Sequence, residues 1–377
     1  MTRTIIDISI LQTLPPSNIN RDDTGSPKTA TFGGVRRARV SSQAWKRATR
    51  EAFSDFLNPD ELGTRTKRVV EMLGERIHEK DASITPERAQ ELAKQTFEAA
   101  GIKLTSARGS TKENPLPEES GYLLFLSARQ VDRLAEAAIA ADGTDDSAAA
   151  LRQAKPKSVL AEKNSIDLAL FGRMVADSSD LNVDAAAQVA HAISVHPVEN
   201  EFDYYTAVDD HKAADAEEDA GAGMIGTIEF NSSTLYRYAT IDADRLRDNL
   251  GDAEATRRAI EAFLQSFTRS IPSGKQTSFA NRTLPDAVVI SVRESQPVNL
   301  VGAYEEAIEE GSRLAVASER LVARAQEIDE AFNTTPVASW VVRSTASTSA
   351  LDALGTRVPL DEAVVAVGEF VRGRLEA

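Results

Sequence analysis

The chain opens on a run of apolar positions with the period of a strand. Over residues 4–14, Ile6, Ile8 and Ile10 fall on one face of an extended segment, with Ile5 and Leu11 opposing them. Further on, Phe32-Gly33-Gly34 supplies two glycines that permit positive φ and close backbone approach. Val35–Val40 then resumes as a strand, with Arg37 and Arg39 sharing a face. From Ser42 the period becomes helical. At ~100° per residue, Trp45, Ala48, Ala52 and Phe56 line one side while Gln43, Lys46, Arg47 and Arg50 line the other. Ser41 or Ser42 serves as N-cap, which sets the first-turn amides and the positive end of the helix dipole beside the cationic side.

The pattern stays helical from Asn58 to about Ala190, with predicted helices over residues 61–79, 86–100, 127–141 and 158–174. Two polar breaks, 105–120 and 141–147, read as exposed loops within this helical insertion. After His196-Pro197 the chain reads as sheet again. Residues 209–226, small and acidic, read as a long loop unable to build a core of its own. Residues 227–231 and 233–239 predict a hairpin, followed by a helix over 254–267 and a strand over 287–292. The last third adds helices at 302–332 and 360–375 and a strand at 339–343. This order of strands and helices predicts an α+β fold.

Composition changes the picture in two places. The 377 residues include no cysteine, which removes disulfides and thiolate metal sites and agrees with a reducing cytoplasm. The N-terminus lacks the apolar core of a signal peptide, and no apolar run approaches ~18 residues, so the expectation is a cytoplasmic protein with no membrane contact. Charge is the second place. The protein carries −15 overall, yet residues 21–50 hold eight Lys and Arg against two acids, Asp22 and Asp23. That segment is a +6 island and leaves −21 for the remainder. Local sign decides where a polyanion can bind, so an acidic total confines nucleic acid to a patch without excluding it. Lys46 and Arg50, spaced i, i+4, repel one another, and an external anion relieves the repulsion.

Little else in the sequence points to catalysis. The four histidines include one close pair, His191 and His196, whose spacing differs from the i, i+4 of helical zinc pairs. The nearby carboxylates Glu199, Glu201, Asp203, Asp209 and Asp210 are unremarkable in so acidic a chain. No GxxxxGK[ST], GxGxxG after a strand, or GxSxG sequence is present. Pro272-Ser273-Gly274-Lys275 reads as a structural turn with a cation at its tip. Leu235, Tyr236 and Tyr238 read as strand core in preference to a base-stacking platform, whereas Phe202–Val208 places aromatics next to the acidic loop.

With these residues in view, the sequence resembles the CasC family, the backbone subunit of the type I-E CRISPR surveillance complex Cascade. The matching blocks are NRDD (Asn20–Asp23), FGG.RR.R.SSQ..KRA.R (Phe32–Arg50), DLALFGRM (Asp167–Met174), AHAISVH (Ala190–His196), YYTAVDD (Tyr204–Asp210) and GTIEFNSSTLYRYA (Gly226–Ala239). The resemblance implies a hand-shaped subunit with a ferredoxin-like, RNA-recognition-motif-like palm, a helical fingers insertion and a hairpin thumb. It divides the chain into a first palm part at 1–57, fingers at 58–181, a palm connection at 182–197, a thumb at 198–226, and the rest of the palm with C-terminal helices at 227–377. Copies of such a subunit stack head to tail along the CRISPR RNA among other Cascade subunits and present the guide for pairing with target DNA. It implies no enzyme activity, no metal and no cofactor.

By motif position the resemblance carries over Arg21, Lys28, Ser41, Gln43, Lys46 and Arg50 as contacts to the guide backbone. It adds Tyr205, Thr206 and Val208 at the thumb and Met174 of the GRM motif in the fingers. The sequence departs from the family where Tyr204-Tyr205 replaces a Trp-Phe pair and where the loop over 213–223 is longer and more acidic. Two other readings stand beside this one. A guide-binding endoribonuclease akin to type III backbone subunits would use Asp22 or Asp23. A protein-only scaffold would dock its basic helix on an acidic partner.

Overall fold

Strand β1 (Ile5–Ser17) occupies the interior of a ten-stranded sheet, which explains why both of its faces are apolar. Ile5 through Gln12 are all buried, so Ile5 and Leu11 meet core just as Ile6, Ile8 and Ile10 do. The computed structural model describes residues 3–111, 113–114, 116–175, 178–207 and 224–376. These fall into two compact units, one of Met1–Ala52, Gln188–Ile241 and Phe263–Val371, the other of Phe53–Ala187, Asp242–Ala262 and Arg372–Ala377.

In the first unit the sheet runs, edge to edge, through Thr356–Arg357, Ala338–Arg343, Ala287–Arg293, β1, Met224–Asp242, Ala192–Ser194, β3 (Val35–Val40) and β2 (Thr29–Phe32). Glu201–Ala207 and Ala187–Val189 also pair with the long strand Met224–Asp242. Its register on one side of β1 is antiparallel, with Ile6 opposite Val292, Ile8 opposite Ile290 and Ile10 opposite Val288. The four central strands thus lie in the spatial order fourth, first, third, second. Helix α1 (Ser42–Ala52) follows the first, and the helix Ala253–Arg269 connects the third to the fourth. Large sheet and numerous helices together make the α+β class a finding.

The long strand corrects one expectation. Residues 227–231 and 233–239 are not two arms of a hairpin but parts of the continuous strand Met224–Asp242, because Asn231-Ser232-Ser233 supplies no residue that the chain bends through positive φ. The hairpin partner is Glu201–Ala207, with Glu201 opposite Phe230 and Tyr205 opposite Gly226. The helix expected over 302–332 also divides. A 3₁₀ segment covers Leu300–Tyr304, Gly311 takes φ 84°, and the helix proper is Arg313–Phe332.

The second unit is largely helical, with helices at Val69–Lys80, Pro86–Ala99, Ala128–Asp142, Ser147–Gln153, Pro156–Ala161 and Ile166–Phe171 packed around Leu73, Ile77, Leu92, Phe97 and Leu134. The helix expected from residue 61 starts only at Val69, since Gly63–Thr66 is a strand paired with Leu124–Ser127. The one expected over 158–174 is interrupted where Lys163 adopts a left-handed φ of 55°. Local capping fixes two helix starts: Thr85 accepts from the Arg88 amide, and Ser127 from that of Gln130. Among the described residues no helix is long and apolar enough to cross a membrane.

Candidate nucleic-acid interface

Helix α1 is held down by its apolar side. Trp45 and Thr49 are fully buried and Ala48 nearly so. The Arg237 guanidinium lies 3.7 Å from the Trp45 ring centroid and 4.6 Å from that of Phe267, donates to Gln12 Oε1 at 2.5 Å, and also donates to the Phe267 carbonyl. Such complete burial pushes the Arg237 pKa down to about 9. A tryptophan clamped in this way sets the rotation of the helix, and the opposite side is delivered to the surface. Phe56 does not extend the apolar stripe as expected. The helix ends at Ala52, a 3₁₀ turn follows, Phe53 takes the buried place, and Phe56 is 40% exposed.

On the outward side Gln43 and Arg47 are exposed, and Lys46 and Arg50 are half-buried. Arg47 is engaged with Glu51 at 2.8 Å, so its charge is partly spent within the helix. Burial pushes the Lys46 ammonium below its ordinary value of 10.5. A cation held in a partly desolvated place gains more from an arriving phosphate than one on a fully wet surface.

Ser41 resolves the capping choice. Its Oγ accepts the Ala44 amide at 3.3 Å and its carbonyl accepts the Ala44 and Trp45 amides, so Ser41 is the N-cap and is itself buried. Asn20 links this cap to the other basic residues. Its Oδ1 accepts the Ser41 amide at 2.8 Å, and its carbonyl accepts the Lys28 amide at 2.9 Å. The Lys28 carbonyl in turn accepts the Arg39 amide at 2.9 Å. Arg21 is exposed and bridges to Pro27, closing the turn in which Asp22 Oδ1 accepts from Thr24 N, Thr24 Oγ and Ser26 N. Asn20 thus ties Lys28 and the Arg21 turn to the N-cap of the helix that carries Gln43, Lys46 and Arg50, all within the first unit.

Several residues of this region act differently from a reading of charge alone. Arg37, counted in the basic island, is fully buried and donates to the carbonyls of Ser194, Tyr304 and Glu305, so it braces the sheet and is not part of the surface. Gly33 and Gly34 take φ 59° and 79°, and a Cβ on Gly33 would stand 1.6 Å from the Glu305 carbonyl oxygen, which makes the glycine obligatory. His191, a metal-ligand candidate by residue type, serves the helix terminus. Its Nδ1 accepts the Ser42 amide at 3.0 Å, and burial with the Arg39 and Lys28 charges lowers its pKa, which keeps the ring neutral there. His196 also has both ring nitrogens committed, to Pro197 O and Thr234 N. Among the described residues no cluster of His, Asp or Glu is arranged to hold a metal.

The remaining site residues lie elsewhere. Tyr205 sits on the hairpin strand, 43% exposed, with its ring against Gly226, where any Cβ would come within 2.5 Å of the phenol. Thr206 is on the same strand opposite Ile225, and Val208 lies outside the described residues. Phe202 and Tyr204 are 67% and 63% exposed on this strand, more than the sequence pattern alone required. Tyr236 and Tyr238, by contrast, are core. Met174 belongs to the second unit, where it is 83% exposed. Its neighbours fix the backbone there: Arg173 is buried and donates to the carbonyls of Leu181, Phe125 and Leu160, and Gly172 takes φ 78° with its Cβ position 2.7 Å from Val183 O.

The sequence matches the profile of the CT1975-like protein family over residues 6–366. The chain belongs to the CT1975-like family. It is also similar to a solved chain from a structure described as a CRISPR RNA-guided surveillance complex, pre-nicking, at 35% identity and a TM-score of 0.82, covering 97% of this chain and 100% of the other. A second, from a CRISPR RNA-guided surveillance complex, is 29% identical with a TM-score of 0.74, covering 97% and 99%. Comparison with the curated proteins finds no match. The match to the CT1975-like family spans both units of the chain.

Proposed function

We propose that this chain is a non-catalytic, CRISPR RNA-binding backbone subunit of a type I-E Cascade complex. Copies of it assemble along the guide, hold its phosphates and leave its bases free to pair with target DNA. The observation that carries the reading is the outward face of α1: Lys46 and Arg50 along the helix that Ser41 caps, with Lys28 and the Arg21 turn tied to that cap through Asn20. Its family and its likeness to chains of CRISPR RNA-guided surveillance complexes support a Cascade-type protein.

Finer features fit the same reading. The fourth-first-third-second order of the central strands, with helices after the first and third, supports a ferredoxin-like palm. The aromatic hairpin strand Glu201–Ala207 suits a thumb, and the helical second unit suits fingers. Repeated cationic palms neutralise phosphates without reading sequence, so specificity resides in guide pairing. Asp22, the candidate for a nuclease, spends one carboxylate oxygen on three donors of its own turn, which supports a structural role for it.

Co-expression with a CRISPR array, followed by sizing and RNA sequencing, tests the proposal. Guide RNA of uniform length carried by several copies of the chain is the expected result. A monomer free of RNA, or metal-dependent cleavage of guide-paired RNA that Asp22→Ala abolishes, contradicts it.

A further inference from the structure

The loop over residues 273–283 takes no part in the α1 neighbourhood, and the sequence marked only its first residues as a turn. Its backbone is held in an unfavourable form. A four-residue helix, Gln276–Phe279, is flanked by Lys275 at φ 51° and Ala280 at φ 47°, both left-handed without being glycine. At its start, Gly274 packs so closely on β1's exit that a Cβ would lie 2.4 Å from Ile19 O and 2.8 Å from Asn18 O. At its end, the Thr283 carbonyl accepts from Gln12 Nε2 at 2.8 Å and its hydroxyl donates to Thr13 O at 2.9 Å. The Phe279 ring stands 5.8 Å from Phe230.

Between these anchors the loop offers cations. Lys275 is half-buried and Arg282 exposed, and neither forms an ion pair among the described residues. Gln276, turned so that its amide oxygen accepts from Arg282, holds that guanidinium in place. Asn281 is fully buried, and neither its Oδ1 nor its Nδ2 has a partner among the described residues. The segment that Gly274 touches continues from Ile19 into Asn20, and Ile19, Asn20, Lys28 and Arg39 line one small groove.

Strain, an unsatisfied buried amide and unpaired cations at one place are features of a segment shaped for a ligand. We propose that the loop 273–283 is a second phosphate-contacting element, in which Lys275 and Arg282 hold the backbone of single-stranded RNA next to the stretch engaged by Lys28 and α1. This inference rests on the guide-binding reading and extends it to a part of the chain that reading does not need.

The test uses the full chain, a labelled single-stranded RNA of mixed sequence and a DNA of the same sequence. In a Lys275→Gln/Arg282→Gln variant, the slope of log affinity against log salt is expected to fall by about 1.4, at about 0.7 for each phosphate no longer neutralised. On the unmodified protein, Lys275 is expected to be protected from amine acylation by the RNA, a readout that needs no variant to fold. An unchanged slope with an unprotected Lys275, while Lys46→Ala still lowers the slope, overturns the loop's role and leaves the proposed function standing. Protection by DNA alone also overturns it. If neither Lys46→Ala nor the loop variant alters the slope, both readings fall.

Discussion

At the scale of single residues, burial separates cations that the sequence counts alike. Arg37 and Arg39 share a strand face in a basic stretch, but three carbonyls enclose Arg37, whereas Arg39 is half-buried beside Lys28. Arg37→Ala leaves those carbonyls without donors and is expected to lower stability by about 3 kcal/mol in chemical denaturation, with the salt slope of RNA binding unchanged. Charge counting could not have found this, because the partners come from residues some 157 and 267 positions away. Lys46 provides a pH signature. Its folded-state pKa is depressed by burial, and a bound phosphate raises it again, so binding takes up a proton at alkaline pH. RNA affinity is therefore expected to fall as pH rises through a value below 10.5, and Lys46→Arg, charged throughout, is expected to remove that fall in a fluorescence anisotropy titration.

Elements were legible where local chemistry decides them. Period, N-cap and apolar stripe identified α1, and the Gly-Gly pair identified the turn between β2 and β3. They failed where pairing at a distance decides: the strand Met224–Asp242 runs through a predicted turn because it has partners along its length. The Ser41 cap also carries more than its own helix, since Asn20 joins it to Lys28. Ser41→Ala is expected to lower stability by about 1 kcal/mol in thermal or chemical unfolding and to weaken RNA binding through a frayed first turn. A variant that loses stability with RNA affinity untouched would separate the cap from the interface.

For the whole molecule, the acidic total and the basic patch are compatible because part of the positive charge is gathered at one place. Residues 21–50 lie within one unit, and hydrogen bonds through Asn20 join the Arg21 and Lys28 segment to the N-cap of α1. Sequence alone could nominate those residues but could not show that Asn20 and His191 organise them, since neither is charged in the way that drew attention to the segment. The remaining charge is expected to keep nucleic acid off other faces, so reversing several surface acids should raise the RNA bound per subunit, measured by absorbance and sizing. Unchanged stoichiometry would sink that idea.

The most direct measurement is the salt dependence of RNA affinity for the wild type and for Lys46→Glu/Arg50→Glu, with folding verified by circular dichroism. The account predicts weaker binding and a slope reduced by at least about 1.4, the share of two neutralised phosphates. Wild-type affinity and slope in the folded double variant would contradict it.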